Sequence, residues 1–431
     1  MSEGKVFRRS TFVVLALAVC FVGHAAQATT SYVGTCHSGS YPTIQQAVTN
    51  STATTIDVCP GTYPEQVTIN RNVSLKGIIS GNGGAAIIVS PSGGLVQNAT
   101  GLSGSPIEAQ IYVQAGAIVT ISDITTDAAN SQLDSLGCLG NPVGIYYQRA
   151  SGTITHSSVL NDILSPTLTG CQSGLGILVE SDQANSVSVT YNHVENYQKN
   201  GITVTGLETG TGPSATISYN TVIGQGAWNG AGQNSIQLSF DATGTISFNT
   251  VGSDVWAPDL YGDTGDAAAG ILVYASQNVA VSKNNVSNTQ YGIAIVSDTS
   301  STFGGANGAQ ISNNVVATTH LYDGIDLCSN NNRVTSNTIN GSDESAVHAD
   351  DTCSGTYGTT GNNNTIQSNT INTACVGVLL GTGTGNGPAS NTYYNTVSLS
   401  MAGDSCTPPP RAGNQKRVAK AHGRLIPVRP L

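Results

Sequence analysis

Positive charge is what this 431-residue chain has least of. Between Thr29 and Cys406 there are 24 acidic residues against six basic ones, Arg71, Lys76, Arg149, Lys199, Lys283 and Arg333. That balance argues against nucleic acid as a partner. It also disfavours direct capture of a polyuronate, whose own charge would be repelled unless cations bridged the two. Aromatic residues are few, and the only tryptophans are Trp228 and Trp256. No CxxC or Cys/His spacing suits zinc. A single Met401 beyond the N-terminal segment, with scattered histidines, offers little for a copper site. Helical apolar stripes are absent from the body, which excludes helical repeats.

What the chain has is a ladder. A small residue followed by Ile or Val recurs nine times, at Gly144-Ile145, Gly176-Ile177, Gly201-Ile202, Ser235-Ile236, Gly270-Ile271, Gly292-Ile293, Gly324-Ile325, Ala346-Val347 and Gly377-Val378. A second motif, apolar-x-x-Asn-x-apolar, trails it at Asn192, Asn220, Asn249, Asn284, Asn314, Asn337, Asn369 and Asn395, with Ser157 in the first copy. The shortest repeats, Gly270 to Gly292 and Gly324 to Ala346, span 22 residues, and this variable period suits one turn of a β-solenoid. Pairs such as Ile145 and Tyr147 alternate with their neighbours, as in a strand with one buried face. Coils stacked about 4.8 Å apart would superpose like residues into interior ladders. Asn at a bend tolerates a left-handed backbone, and stacked amides can bond along the axis.

Weaker copies continue upstream through Val119-Thr120-Ile121 and Val67-Thr68-Ile69. With them the chain resembles, over roughly residues 40 to 400, the right-handed parallel β-helix proteins of the pectin-lyase-like superfamily. The stretch Tyr41-Pro42-Thr43-Ile44-Gln45-Gln46-Ala47-Val48 and the run Ile56-Asp57-Val58-Cys59-Pro60-Gly61-Thr62-Tyr63 look like the opening of pectinesterases. The resemblance implies an all-β, single-stranded right-handed parallel β-helix solenoid. Ile44, Ala47 and Val48 predict a short N-terminal capping helix over the open end of the first coil. The active-site motifs of such enzymes are missing. Pectinesterase-type Gln-Asp-Thr and Asp-Phe-Ile-Phe-Gly do not occur, and of the polygalacturonase pattern only Asp350-Asp351 matches. Lyases of this fold use a basic residue, scarce here. Tyr322-Asp323-Gly324-Ile325-Asp326 is loosely similar to mannuronan epimerases, whose Asp-Pro-His is absent.

Lys5, Arg8 and Arg9 precede the apolar run from Phe12 to Val22, and Ala26-Gln27-Ala28 supplies small residues for cleavage. Residues 1–28 therefore read as a secretory signal peptide, and the run is too short to span a bilayer comfortably. A lipidated Cys20 is the poorer reading, since Val19 precedes it. Residues 29–406 form the β-helix domain. Residues 407–431 carry Pro408-Pro409-Pro410 and six basic residues with no acid, the composition of a disordered tail. Eight cysteines remain after cleavage, in a secreted or periplasmic setting that favours disulfides. Coil register suggests Cys36 with Cys59, Cys138 with Cys171, Cys328 with Cys353 and Cys375 with Cys406.

Insertions between the two motifs should wall a groove along the Gly-Ile sheet, the face that commonly binds saccharide in this superfamily. Trp228, Trp256 and Tyr261 in inserted segments, with Gln237 on the sheet, are the substrate-binding candidates; the tryptophans either stack on sugar or anchor their own loops. Asp254, Asp259, Asp263 and Asp266 could supply oxygen ligands to Ca²⁺, though without the spacing of an EF-hand, and solvated loop carboxylates are the alternative. The catalytic candidates are Asp323, Asp326, His348, Asp350 and Asp351. Asp326 and His348 occupy the same outward position 22 residues apart, which permits an Asp/His pair or, with Asp350, two carboxylates across a glycosidic bond; a structural cross-coil pair is the rival. The expected function is an exported, monomeric protein that binds a polysaccharide or cell-surface glycan along that groove, with processing by a lyase, hydrolase or epimerase reaction left open for want of a recognisable catalytic motif. Its rival is a non-catalytic, adhesin-like surface solenoid.

Overall fold

The structure is a computed structural model that describes residue 1 and residues 29–79, 81, 84–260, 266–298, 305–350, 353, 358, 360–402 and 424–431, without the side chains of residues 259, 260 and 402. Among the described residues, three long sheets of 13, 12 and 13 strands run the length of the molecule, parallel throughout except for Ala99–Thr100, which pairs antiparallel with Pro106–Val113. The chain visits the first, second and third sheet in turn and then climbs one coil. The Gly-Ile strands make up the third sheet. Each is paired in parallel with the next, and Ile145, Ile177, Ile202, Ile236, Ile271, Ile293, Ile325, Val347 and Val378 superpose in one register. All nine are fully buried. The expected ladder is the spine of the core.

The small residue before each Ile has a steric cause. It sits where the third sheet turns from the second, and a Cβ on Gly201 would collide with Val222 Cγ1 and the Ser235 carbonyl. One coil cannot close around a larger side chain there.

The asparagines form a second ladder inside the bend between the first and second sheets. Oδ1 of each accepts from the Nδ2 of the one before, through Asn192, Asn220, Asn249, Asn284, Asn314, Asn337, Asn369 and Asn391, at 2.9 to 3.0 Å. Ser157 joins through its backbone N–H, 3.0 Å from Asn192 Oδ1. Two details differ from expectation. The left-handed residue is the one before each Asn, for example Tyr191, Tyr219, Phe248 and Lys283; the Asn is there for its amide. The last rung is Asn391, while Asn395 stands outside the ladder and donates to Asn372.

Helix Ile44–Asn50 buries Ile44, Ala47 and Val48 over the first coil, with Thr43 as N-cap. Glu65 adds a second cap by accepting the N–H groups of Ile44 and Gln45 at 2.8 and 2.9 Å. The bridges Cys36–Cys59, Cys138–Cys171 and Cys328–Cys353 are present. Cys375 is disulfide-bonded as well, and its expected partner Cys406 lies outside the described residues. So do residues 2–28 and 403–423. The last eight residues correct the expectation of a tail disordered to its end: Arg424–Leu425 pairs in parallel with Asp266–Ala267, and the segment continues along the third sheet. No helix among the described residues is long and apolar enough to cross a membrane.

Candidate functional site

The outward face of the third sheet carries three rows of side chains, and they are buried almost throughout. Toward the N-terminal coils the rows are apolar and aromatic, with Tyr112 and Tyr146 stacked at 5.3 Å. Toward the C-terminal coils they become acidic. Asp323, Asp326, His348 and Asp350 are each at most 2% exposed, so a substrate could reach them only after local opening.

Register explains how they meet. Asp326 and His348 are direct partners on adjacent strands, as expected. His348 Nδ1 donates to Asp323 Oδ2 at 3.0 Å, and its Nε2 stands 3.7 Å from Asp350 Oδ1. Ser345 fixes Asp323 by donating to Oδ1 from its backbone N–H at 3.0 Å and from its hydroxyl at 2.5 Å. One oxygen of Asp326 and one of Asp350 lie within 4.8 Å of each other, beside the Cys328–Cys353 bridge. Burial alone would lower the pKa of His348, but the charges of Asp350 and Asp323 outweigh it and hold the imidazole well above its ordinary value. An imidazolium locked between carboxylates is a poor general base and a good electrostatic anchor. Asp351 lies outside the described residues.

Of the calcium candidates, the side chains of Asp254 and Asp266 are described, and each has protein partners. Asp254 is fully buried away from solvent, accepting from Tyr197 Oη at 2.7 Å and Ser235 Oγ at 2.5 Å. Asp266 instead pairs with Arg424 at 3.0 Å. The Asp259 side chain and Asp263 lie outside the described residues. Asp254 belongs to an internal polar cluster with Lys199, whose Nζ donates to the Gly232 carbonyl. Burial pushes the Asp254 carboxyl up to about 7 and the Lys199 amine down to about 7.

Trp228 and Trp256 are register partners on adjacent strands of the second sheet, so they share one side of the solenoid. Their indole N–H groups donate to loop carbonyls, Trp228 to Ala231 at 3.0 Å and Trp256 to Gly230 at 2.9 Å. Both rings are half-buried, which is how loop anchors behave. Tyr261 lies outside the described residues. Gln237 does face outward on the third sheet, yet it is buried by the 424–431 segment and exchanges two 2.8 Å hydrogen bonds with the Val428 backbone.

Sequence reasoning missed Glu180, Tyr146 and the stacked pair Tyr291 and Tyr322 on this face. Glu180 accepts from Tyr146 Oη at 2.6 Å and from the backbone of Leu102 and Leu431. The available signal was positional: Tyr146 precedes Gln237, Asp326 and His348 in one outward row.

No family model and no curated protein sequence matches the chain. Solved structures do. The catalytic domain of a GH87 α-1,3-glucanase in complex with tetrasaccharides is 15% identical, with a TM-score of 0.54 over 86% of this chain and 66% of that one. The catalytic unit of the GH87 α-1,3-glucanase of Streptomyces thermodiastaticus is 14% identical, with a TM-score of 0.51 over 83% and 66%. PfbA, a surface adhesin of Streptococcus pneumoniae, is 13% identical, with a TM-score of 0.49 over 80% and 83%. The chain thus spans just under two thirds of the glucanase chains. The two glucanase likenesses bear on the fold alone: together with the three long sheets, they make this chain a right-handed parallel β-helix.

Proposed function

We propose that this protein is exported and binds a neutral or cation-bridged glycan along the outer face of the third sheet, where Asp326 and Asp350 carry out glycoside chemistry. The observation that carries this reading is the knot of three buried carboxylates around one imidazole at the acidic end of that face. Taking such charges out of water costs several kcal/mol per ion, and a stable solenoid has no need of them there. Clustered, desolvated ionisable groups are more frequent at working sites than elsewhere. His348, 3.7 Å from Asp350, stabilises negative charge on it and suits it to the role of nucleophile. Asp326 is then the acid that protonates the glycosidic oxygen. Their closest oxygens, within 4.8 Å, fit the roughly 5–5.5 Å of retaining glycosidases better than the roughly 6.5–9.5 Å of inverting ones. Asp323 and His348 are positioning residues.

The test is a panel of neutral polysaccharides scored for released oligosaccharide. Asp326→Asn and Asp350→Asn should each lower release at least about 10³-fold while the thermal midpoint holds or rises, because isosteric neutral groups relieve buried charge. Equal release from parent and variants removes the cluster from the chemistry. A second reading, a non-catalytic surface-interaction solenoid, is favoured by one observation: His348 is only 2% exposed, so the cluster is closed as folded here. Binding without product release from any polysaccharide would select it.

A further inference from the structure

The face assigned to glycan is already occupied over its apolar half by residues 424–431. Arg424 pairs with Asp266 through both backbone and side chain. Leu425 is buried in the apolar cluster that includes Phe240, Tyr274, Tyr291 and the bridging Cys328 and Cys353, the wall beside the carboxylates. Further on, Val428 packs against Tyr112, Tyr146 and Leu178, while Gln237 brackets its backbone with a donor and an acceptor, each at 2.8 Å. The Arg429 guanidinium lies 5.8 Å from the Phe240 ring centroid. Leu431 N–H donates to Glu180 Oε1 at 2.7 Å, and Ser103 Oγ donates to the Pro430 carbonyl at 2.7 Å.

We propose that residues 424–431 are a displaceable plug that competes with glycan for the outer face of the third sheet. The reasoning is chemical and rests on the glycan reading above. The face offers aromatic rings, an amide and a carboxylate, the groups that engage sugar rings and hydroxyls, and the plug satisfies each of them with peptide. Its attachment is that of an added extended segment: backbone hydrogen bonds plus the buried side chains of Leu425, Pro427 and Val428. Only two residues of it pair as a strand, and both its arginines remain exposed. Both are marks of a segment that can leave.

The experiment uses a chain ending at Gly423 and a labelled synthetic peptide with the sequence of residues 424–431. The peptide should bind the shortened chain saturably, bind the full chain at least tenfold more weakly because the site is filled, and bind the Gln237→Ala form of the shortened chain at least tenfold more weakly. The shortened chain should also retain more neutral polysaccharide than the full chain, and added peptide should reverse the gain. No peptide binding overturns the plug whatever the glycan does. Peptide binding with equal polysaccharide retention by full and shortened chains overturns the competition. If no chain retains any polysaccharide, it is the glycan reading that fails, and the peptide arm alone decides whether the face is a docking surface. Should the shortened chain not fold, Val428→Asp in the full chain sets a charge against Tyr146 and Leu178, and increased retention is expected from it too; unchanged retention in that variant overturns the proposal.

Discussion

A single buried position shows how much of this molecule hangs on one row of side chains. Ile271 is fully buried between Ile236 and Ile293. Ile271→Asp would put an unpaired charge into a closed apolar interior, at a cost that exceeds any local gain. Loss of the folded far-ultraviolet spectrum, or failure to accumulate folded protein, is the expected result; a native spectrum at an unchanged midpoint would mean the register is wrong. Trp228→Ala removes a half-buried anchor and should cost about 1–3 kcal/mol in chemical denaturation, with glycan retention unchanged. A variant that denatures like the parent but loses retention would return Trp228 to the list of sugar platforms. Asp254 and Lys199 make a pH prediction. The Asp254 pKa is raised, so its contribution to stability is fully present below about 4 and is lost as pH rises through about 7. Lys199 is depressed, so its contribution is present above about 10 and is lost as pH falls through about 7. Thermal midpoints should dip near neutrality, and Asp254→Asn should flatten the acid side of the dip. A parent and variant with parallel pH profiles would contradict this.

At the scale of the element, the asparagine ladder holds the bend that lets each coil turn back. Asn249 accepts from both the backbone and the side chain of Asn220 and is 1% exposed, so Asn249→Ala orphans two buried donors. We expect a loss of about 1–3 kcal/mol, and a smaller one for Asn391→Ala at the partly exposed end of the ladder. Equal losses at both positions would show that stacking along the axis is not what the amides supply. The same bend shows where sequence reasoning stops. An Asn every coil was legible, as was its stacking. Which residue takes the left-handed backbone was not, because Tyr191, Tyr219 and Phe248 hold it in spite of their bulk. Their rings, thrown outward by that conformation, stack on one another at 4.8 Å between centroids, an interaction that offsets the strain and leaves no local sequence signature.

Taken as a whole molecule, the solenoid was legible because its information is repetitive: nine rungs of a small residue before Ile or Val fix strand, face and register together. The Asp326 and His348 pair was legible for the same reason, being one residue type read against the next at a fixed offset. The remainder of the site was not. Asp254 was assigned outward because it sits in an insertion, yet Tyr197, between two strands, and Ser235, on a strand of the third sheet, draw it into the interior. Gln237 was read as facing ligand, and its partner Val428 is 191 residues away, a contact no periodicity encodes.

Function is proposed to reside on the outer face of the third sheet. Backbone hydrogen exchange with and without a polysaccharide that the protein retains tests it most directly. Slowed exchange is expected along the third-sheet strands that carry Tyr146, Gln237, Asp326 and His348, together with faster exchange at Val428 as the 424–431 segment is displaced. Protection confined to the first or second sheet, with Val428 unchanged, would contradict it.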